Sequence, residues 1–451
     1  MLQNLYLVYI KYDIKGALGG ACFLFTGVKK MEISELETLI SDIACKGRKA
    51  SLVLQNISSQ SVDNALLKMA DYLQSNKSAL QEENKKDLEA GKKKGLSPAM
   101  LDRLTLSDKT LGSMINGLRE VAALKSPAGT FYDERVRPNG LNISKMRVPI
   151  GVIGIIYESR PNVTVDAAAI CLKSRNAVIL RGGSEAFHSN SALCALFSKC
   201  LEEAGLPSSA LQFIPTTDRA AVELLLTKDG QIDLIIPRGG ESLIRMVAEK
   251  SRIPVIKHYN GICHVYVSAN ADMKKAADIA VNAKVQRPGV CNAMETLILD
   301  IGLDLQKRKS IIDVLIDRGV TLYGDKESCK LSDKVIIADE KAWGEEYLDL
   351  RLNVKSVNGI DEAVAHINTY GSRHTDSIIS ENRAEQEKFI TEVDSASVMI
   401  NASTRFADGG EYGMGCEIGI STDKLHSRGP MGIDDLTTYK WVVRGDGQVR
   451  E

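Results

Sequence analysis

Little in this sequence pulls toward a charged partner. Its 57 Lys and Arg offset 58 Asp and Glu, a formal net charge of −1, so neither nucleic acid nor an anionic membrane is favoured as the main partner. No apolar run is long enough to span a bilayer, and the first thirty residues lack a basic start, which makes them a poor signal peptide. The nine cysteines include no CxxC pair and no Cys/His cluster at metal spacing. No metal is therefore expected, and reduced thiols in a cytoplasmic setting are. GxGxxG and Walker A loops are also missing, so no single motif announces a nucleotide site.

What is present suggests two or three domains in 451 residues. Residues 1–30 carry short apolar patches broken by Lys11, Asp13 and Lys15, and are expected to stand outside the fold, with Met31 as the working start. From Ser34 to about Leu124, apolar residues recur at three- and four-residue spacing between Lys/Glu faces, which predicts a run of helices. Two β-like runs around Pro138-Asn139-Gly140 then predict a hairpin over 132–148. The tail 436–444 is another β run that could join it as an oligomer contact or stand as an ordinary edge.

The middle alternates strand and helix: strands at Gly151-Ile156, Ala177-Leu180, Gln212-Ile214, Ile232-Ile236, Pro254-Lys257 and His264-Val267, with helices between. Repeated βαβ units predict a doubly wound parallel sheet, whose ligands bind beyond the carboxyl ends of the strands. Two Gly-Gly turns fall there, Arg181-Gly182-Gly183-Ser184-Glu185 and Pro237-Arg238-Gly239-Gly240. Glycine lets backbone N–H groups approach a phosphate, and a following helix N-terminus adds its dipole. Either turn alone is compatible with a structural role; the pair, each with an arginine before the glycines, favours a phosphorylated ligand.

A second α/β stretch runs from Arg287 to about Asp408. At its start Cys291 follows Arg287-Pro288-Gly289 and precedes an apolar run, where a turn can present a thiol to a cleft between domains. A nucleophile must be a thiolate, so its pKa has to fall from about 8.5. Arg287 can contribute to that. The other reading, a small buried hydrophobe, stays open on spacing alone.

From about Met31 to the end, the chain resembles the gamma-glutamyl phosphate reductases, also called glutamate-5-semialdehyde dehydrogenases, of the aldehyde dehydrogenase superfamily. The likeness rests on Val148-Pro149-Ile150-Gly151-Val152-Ile153-Gly154 leading to Tyr157-Glu158-Ser159-Arg160-Pro161-Asn162, and on the two Gly-Gly turns. It continues through Lys257-His258-Tyr259-Asn260-Gly261, Cys291-Asn292-Ala293-Met294-Glu295-Thr296, Asn401-Ala402-Ser403-Thr404-Arg405-Phe406 and His426-Ser427-Arg428-Gly429-Pro430. One departure is Arg175, where relatives usually have glycine.

This resemblance implies an aldehyde dehydrogenase-like α/β fold. A cofactor domain would span 31–131 and 149–286, a catalytic domain 287–415, and an oligomerisation flap 132–148 with 416–451. It implies Cys291 as nucleophile and Asn162 as a donor to the substrate carbonyl. Arg181, Gly182, Gly183, Ser184 and Glu185 would hold the adenosine ribose, Gly239 and Gly240 the pyrophosphate, and Glu346 the nicotinamide ribose. Candidate substrate ligands are Arg160, His258, Arg405 and Arg428. The expected reaction is NADPH-dependent reduction of L-glutamyl 5-phosphate to the semialdehyde through a cysteine thioester, in proline biosynthesis. The substrate would come from a separate glutamate kinase, and the enzyme would be a dimer or tetramer. Glu185 favours NAD while Arg181 favours NADP. Where hydrolytic relatives carry a glutamate that activates water, this chain has His258-Tyr259-Asn260-Gly261, which favours an acyl-phosphate reductase over the alternative, a CoA-acylating or hydrolytic enzyme.

Overall fold

Helix Ile33–Leu54 starts with a reciprocal capping box, Glu32 with Glu35, and buries Leu36, Ile40, Ile43, Ala44 and Ala50 on one stripe. It opens the part of the chain that the structure, a computed structural model, describes: residues 31–158 and 160–450. The leader expected to stand outside the fold lies outside those residues. Helices Ser59–Ser75, Lys77–Lys93 and Asp108–Ala123 follow as the periodicity predicts. Ser58 and Ser107 cap two of them by accepting hydrogen bonds from Ser61 and Thr110 N–H.

Their apolar stripes join one core with a four-stranded sheet in the order Leu211–Phe213, Ala177–Arg181, Val152–Tyr157, Leu234–Arg238. All its neighbours pair in parallel. Each residue of Val152–Tyr157 is buried, as a strand covered by helices on both faces requires. The strand expected at Pro254-Lys257 is reduced to a single bridge between Ile235 and Val255.

A second, seven-stranded parallel sheet carries the nucleophile's strand. Its order is Ile336–Ile337, Thr321–Gly324, Arg351–Val357, Met294–Asp300, Cys263–Val267, Thr375–Ile379, Ser397–Ile400. Strand Cys263–Val267 lies inside it, between the central strand Met294–Asp300 and Thr375–Ile379. The division expected at residue 286 is thus corrected: this strand, and helix Met273–Val285 packed on Met294–Asp300, belong with the second sheet.

Strand Asn142–Pro149 pairs antiparallel with Phe131–Val136 and with Thr437–Arg444, joining the hairpin to the tail as expected. The rest of 416–451 departs from the expected flap, because Ile418, Met431, Ile433 and Leu436 are buried in the first core. The ribbon leaves Phe131, Tyr132, Tyr439 and Trp441 exposed. Lys145 Nζ lies 4.7 Å from the Tyr439 ring and 4.8 Å from that of Trp441.

Arg175 has φ +61°. It follows helix Pro161–Lys173, where Asn176 N–H donates to Cys171 O and Arg175 N–H to Leu172 O, a Schellman closure that favours glycine at this position. Arg175 Nη2 recovers part of the strain through Ser59 Oγ at 3.1 Å. Arg175→Gly is expected to stabilise the protein by about 0.5–1 kcal/mol, seen as a higher urea midpoint with an unchanged slope. A lower midpoint would show that the Ser59 contact outweighs the strain.

Candidate active site

Cys291 sits half-buried in the turn that enters strand Met294–Asp300, closed by Ala293 N–H donating to Val290 O at 3.0 Å. Two neighbours fix its backbone. Cys263 Sγ donates to Cys291 O at 3.2 Å. A Cβ on Gly261 would fall 1.9 Å from that same carbonyl oxygen, so only glycine lets the 258–261 loop lie this close. That loop brings His258 to the sulfur. A ring nitrogen of His258, a ring nitrogen of His374 and Cys291 Sγ all lie within 4.8 Å of one another.

Guanidinium groups gather at the same place. Arg160, solvent-exposed but set in the cleft, has its pKa lowered first by desolvation and then by repulsion from Arg238, Arg103 and Arg287, while Cys291 acts to raise it. Arg405 is lowered by burial and by Arg287, and it too feels Cys291. Its N–H groups go to neutral oxygens, Gln286 Oε1 at 2.9 Å and Asn292 Oδ1. Arg160 and Arg405, each interacting with Cys291 and each repelled by Arg287, present positive charge that attracts a multiply charged anion. Arg287 is the member proposed from sequence only as an electrostatic aid.

Arg428 is placed differently. It forms an ion pair with Asp394 at 2.8 Å and donates to the Asp394 carbonyl at 2.9 Å. Asp394 also holds Lys424 at 2.7 Å. Arg428 is thus part of a local ion cluster, whereas Arg160 and Arg405 interact with Cys291.

Asn162 lies in the first turn of helix Pro161–Lys173, two residues after Arg160. Its Nδ2 donates to Asp166 Oδ2 at 3.1 Å, which orients the amide and leaves its second N–H available. Burial raises Asp166 to about 6. Glu346 Oε1 accepts from Gly261 N–H at 2.8 Å, so this carboxylate stands beside the loop that lies on Cys291; burial raises its pKa.

At the first Gly-Gly turn, Arg181 Nη2 donates to Thr217 O at 3.1 Å, while its buried Nε has no partner. A Cβ on Gly182 would meet Asn190 at 2.2 Å, and one on Gly183 would meet Glu185 at 2.2 Å. Burial lowers Arg181 most; Glu185 and Arg219 act on it with opposite signs. The expectation that both turns offer a helix N-terminus to phosphate is corrected here. Asp87 accepts from His188 and Ser189 N–H at 3.1 and 2.8 Å and occupies the start of helix Phe187–Glu203. At the second turn Glu158 likewise accepts from Gly240 N–H at 2.9 Å, but no side chain caps the first turn of helix Glu241–Lys250 among the described residues.

His374 escaped the sequence reading, since 83 residues separate it from Cys291 and only the pairing of Thr375–Ile379 with Cys263–Val267 brings it in. A cavity of about 540 Å³ lined by Ile150, Leu234, Val255, Lys257, Asp423 and His426 lies apart from Cys291. No helix among the described residues is long and apolar enough to cross a membrane.

The aldehyde dehydrogenase family pattern matches residues 37–305. A gamma-glutamyl phosphate reductase of Geobacter metallireducens is 53% identical over 412 residues, 91% of this chain and 99% of that relative. One from Desulfotalea psychrophila is 49% identical over 415 residues, 92% and 99% of the two chains. The crystal structure of gamma-glutamyl phosphate reductase from Thermotoga maritima superposes with a TM-score of 0.89 at 42% identity, covering 91% of this chain and 100% of that one. An acetylating aldehyde dehydrogenase from Geobacillus thermoglucosidasius shares the fold at 16% identity and TM-score 0.68, over 93% of this chain and 99% of that one. With its two parallel sheets and these relatives in agreement, the chain belongs to the aldehyde dehydrogenase family and, within it, to the gamma-glutamyl phosphate reductases.

Proposed function

We propose that this oxidoreductase reduces L-glutamyl 5-phosphate to L-glutamate 5-semialdehyde with release of phosphate, in proline biosynthesis, through a thioester on Cys291. The observation that carries this is that the guanidiniums of Arg160 and Arg405 both interact with Cys291, with Arg287 acting on each of them. They attract the anionic substrate and stabilise the phosphate that leaves. Asn162 polarises the γ-carbonyl, a contribution of about 3 kcal/mol to the barrier. Lys257, beside His258, is paired with Asp423 at 3.2 Å. The position that carries the water-activating glutamate in hydrolytic relatives therefore holds an imidazole next to a neutralised cation, and no carboxylate.

NADPH, when bound, supplies hydride to the thioester. Its adenosine end is held by Arg181, Gly182, Gly183, Ser184 and Glu185, its pyrophosphate by Gly239 and Gly240, and its nicotinamide ribose by Glu346. The buried, unpartnered Arg181 Nε and the second guanidinium of Arg219 suit a 2′-phosphate. The exposed aromatic and cationic ribbon is the oligomer contact, and a separate glutamate kinase delivers the substrate. The chain works in the cytoplasm.

The test is oxidation of glutamate semialdehyde, in equilibrium with its cyclic form, with phosphate or with coenzyme A as acceptor. A phosphate requirement, with kcat/KM higher for NADP than for NAD, is the expected result. A coenzyme A requirement overturns the substrate assignment, and a preference for NAD overturns the cofactor.

A further inference from the structure

The acylation step proposed above needs somewhere for a proton to go, and the site holds two imidazoles. The rings of His258 and His374 meet edge to face, centroids 5.7 Å apart at 71°. Two nitrogens and a sulfur within 4.8 Å also have the makings of a soft-metal site. The positive charge of Arg160 and Arg405, which interact with Cys291, opposes a dication there.

The hydrogen bonds separate the roles of the two rings. His258 Nδ1 lies 2.8 Å from the carbonyl oxygen of Ile420. A carbonyl only accepts, so Nδ1 carries the hydrogen and the neutral ring keeps its lone pair on Nε2. His258 is half-buried, with a route to solvent. His374 is fully buried, its Nε2 has no partner, and burial lowers its pKa to about 4. Asp376, Glu346 and Glu417 act on it in the other direction without restoring it. It is neutral at physiological pH, so a proton leaving Cys291 is not held there.

We propose that His258 is the catalytic acid and base of this site, and that His374 is a positioning residue that holds the His258 ring edge toward Cys291. As sulfur bonds to the γ-carbon, the thiol proton passes to His258 Nε2. The C–O bond to phosphate breaks with its electron pair on oxygen, and the His258 imidazolium protonates that oxygen. The oxyanion of the reduced tetrahedral adduct then re-forms the carbonyl as the C–S bond breaks with its pair on sulfur, and a solvent proton arriving through His258 restores the thiol.

The test rests on the reading of Cys291 as nucleophile but needs no acyl phosphate: alkylation of Cys291 by iodoacetamide in the full chain, followed across pH. The charged groups around the pair are Arg160, Arg287 and Arg405 on the sulfur side, Asp376, Glu346 and Glu417 on the His374 side, and Lys257 with Asp423 beside His258. His258→Gln keeps an N–H donor for Ile420 O and removes the proton acceptor. It is expected to alkylate about tenfold or more slowly at neutral pH, to regain the rate as pH rises, and to lose about 10²-fold in kcat. His258→Ala is expected to be rescued in part by added imidazole. His374→Asn is expected to lower kcat with little change in KM and to slow alkylation by a smaller factor than His258→Gln, with the pH midpoint unchanged. An unchanged alkylation profile in a folded His258→Gln protein overturns the assignment, as does a loss of alkylation confined to His374→Asn. A missing phosphate requirement in the wild type would instead strike the substrate reading and leave the alkylation result standing.

Discussion

Cys291→Ala is expected to lower phosphate-dependent oxidation of the semialdehyde by about 10⁴-fold or more. Its thermal unfolding and its binding of NADP are expected to stay as in the wild type. The size follows from the chemistry, because without the sulfur no thioester forms and the arginines have no covalent intermediate to serve. The fold survives because Cys291 is half-buried in a turn and its backbone, through its carbonyl oxygen, makes the contact with Cys263. Rapid-quench trapping of radiolabelled acyl-enzyme separates the cases: label on wild type and none on Cys291→Ala is the expected pattern. Activity within tenfold of wild type would remove the thioester from the mechanism.

The parts of this molecule that could be read from sequence were those that local chemistry determines. The stripes of Ile33–Leu54 and Asp108–Ala123, the all-apolar strand Val152–Tyr157 and the Pro138-Asn139-Gly140 turn each follow from neighbours a few residues apart. Cys291 was legible because a Pro-Gly break precedes it. Strand Thr375–Ile379 was not, because its buried Thr375, Asp376 and Ser377 look like a loop until Asp376 is seen accepting from His264 N–H at 2.8 Å. Cys263–Val267 was recognised as a strand and assigned to the wrong sheet, since alternation says nothing about which partner a strand takes. The Asp87 carboxylate shows the same limit. It closes a helix start 101 and 102 residues away, and the glycine pattern of that turn carries no trace of it.

Long-range pairing also produces the second large effect. Lys284 and Glu295 are both fully buried, with Nζ 2.7 Å from Oε2. Lys284 lies at the end of helix Met273–Val285 and Glu295 at the start of strand Met294–Asp300, so the pair ties together the two ends of the turn that carries Cys291. Glu295 Oε1 also accepts from Leu348 N–H at 3.3 Å, linking the turn to the segment that carries Glu346. Burial raises Glu295 to about 7 and lowers Lys284 even though each partner acts in the opposite direction, so desolvation opposes both charges at this site. Lys284→Met is therefore expected to destabilise the protein by about 3–5 kcal/mol, and Glu295→Leu by a similar amount, because each leaves an uncompensated buried group. The double variant Lys284→Met/Glu295→Leu is expected to recover most of that stability, since two apolar side chains can fill the space of the pair. It is not expected to recover kcat, because the tie across the nucleophile turn is gone. Urea unfolding of the four proteins, closed as a double-mutant cycle, measures the first expectation and steady-state kinetics the second. Single variants no less stable than wild type would show that the pair costs as much in desolvation as it returns. A double variant with wild-type kcat would show that Cys291 is positioned by its turn alone.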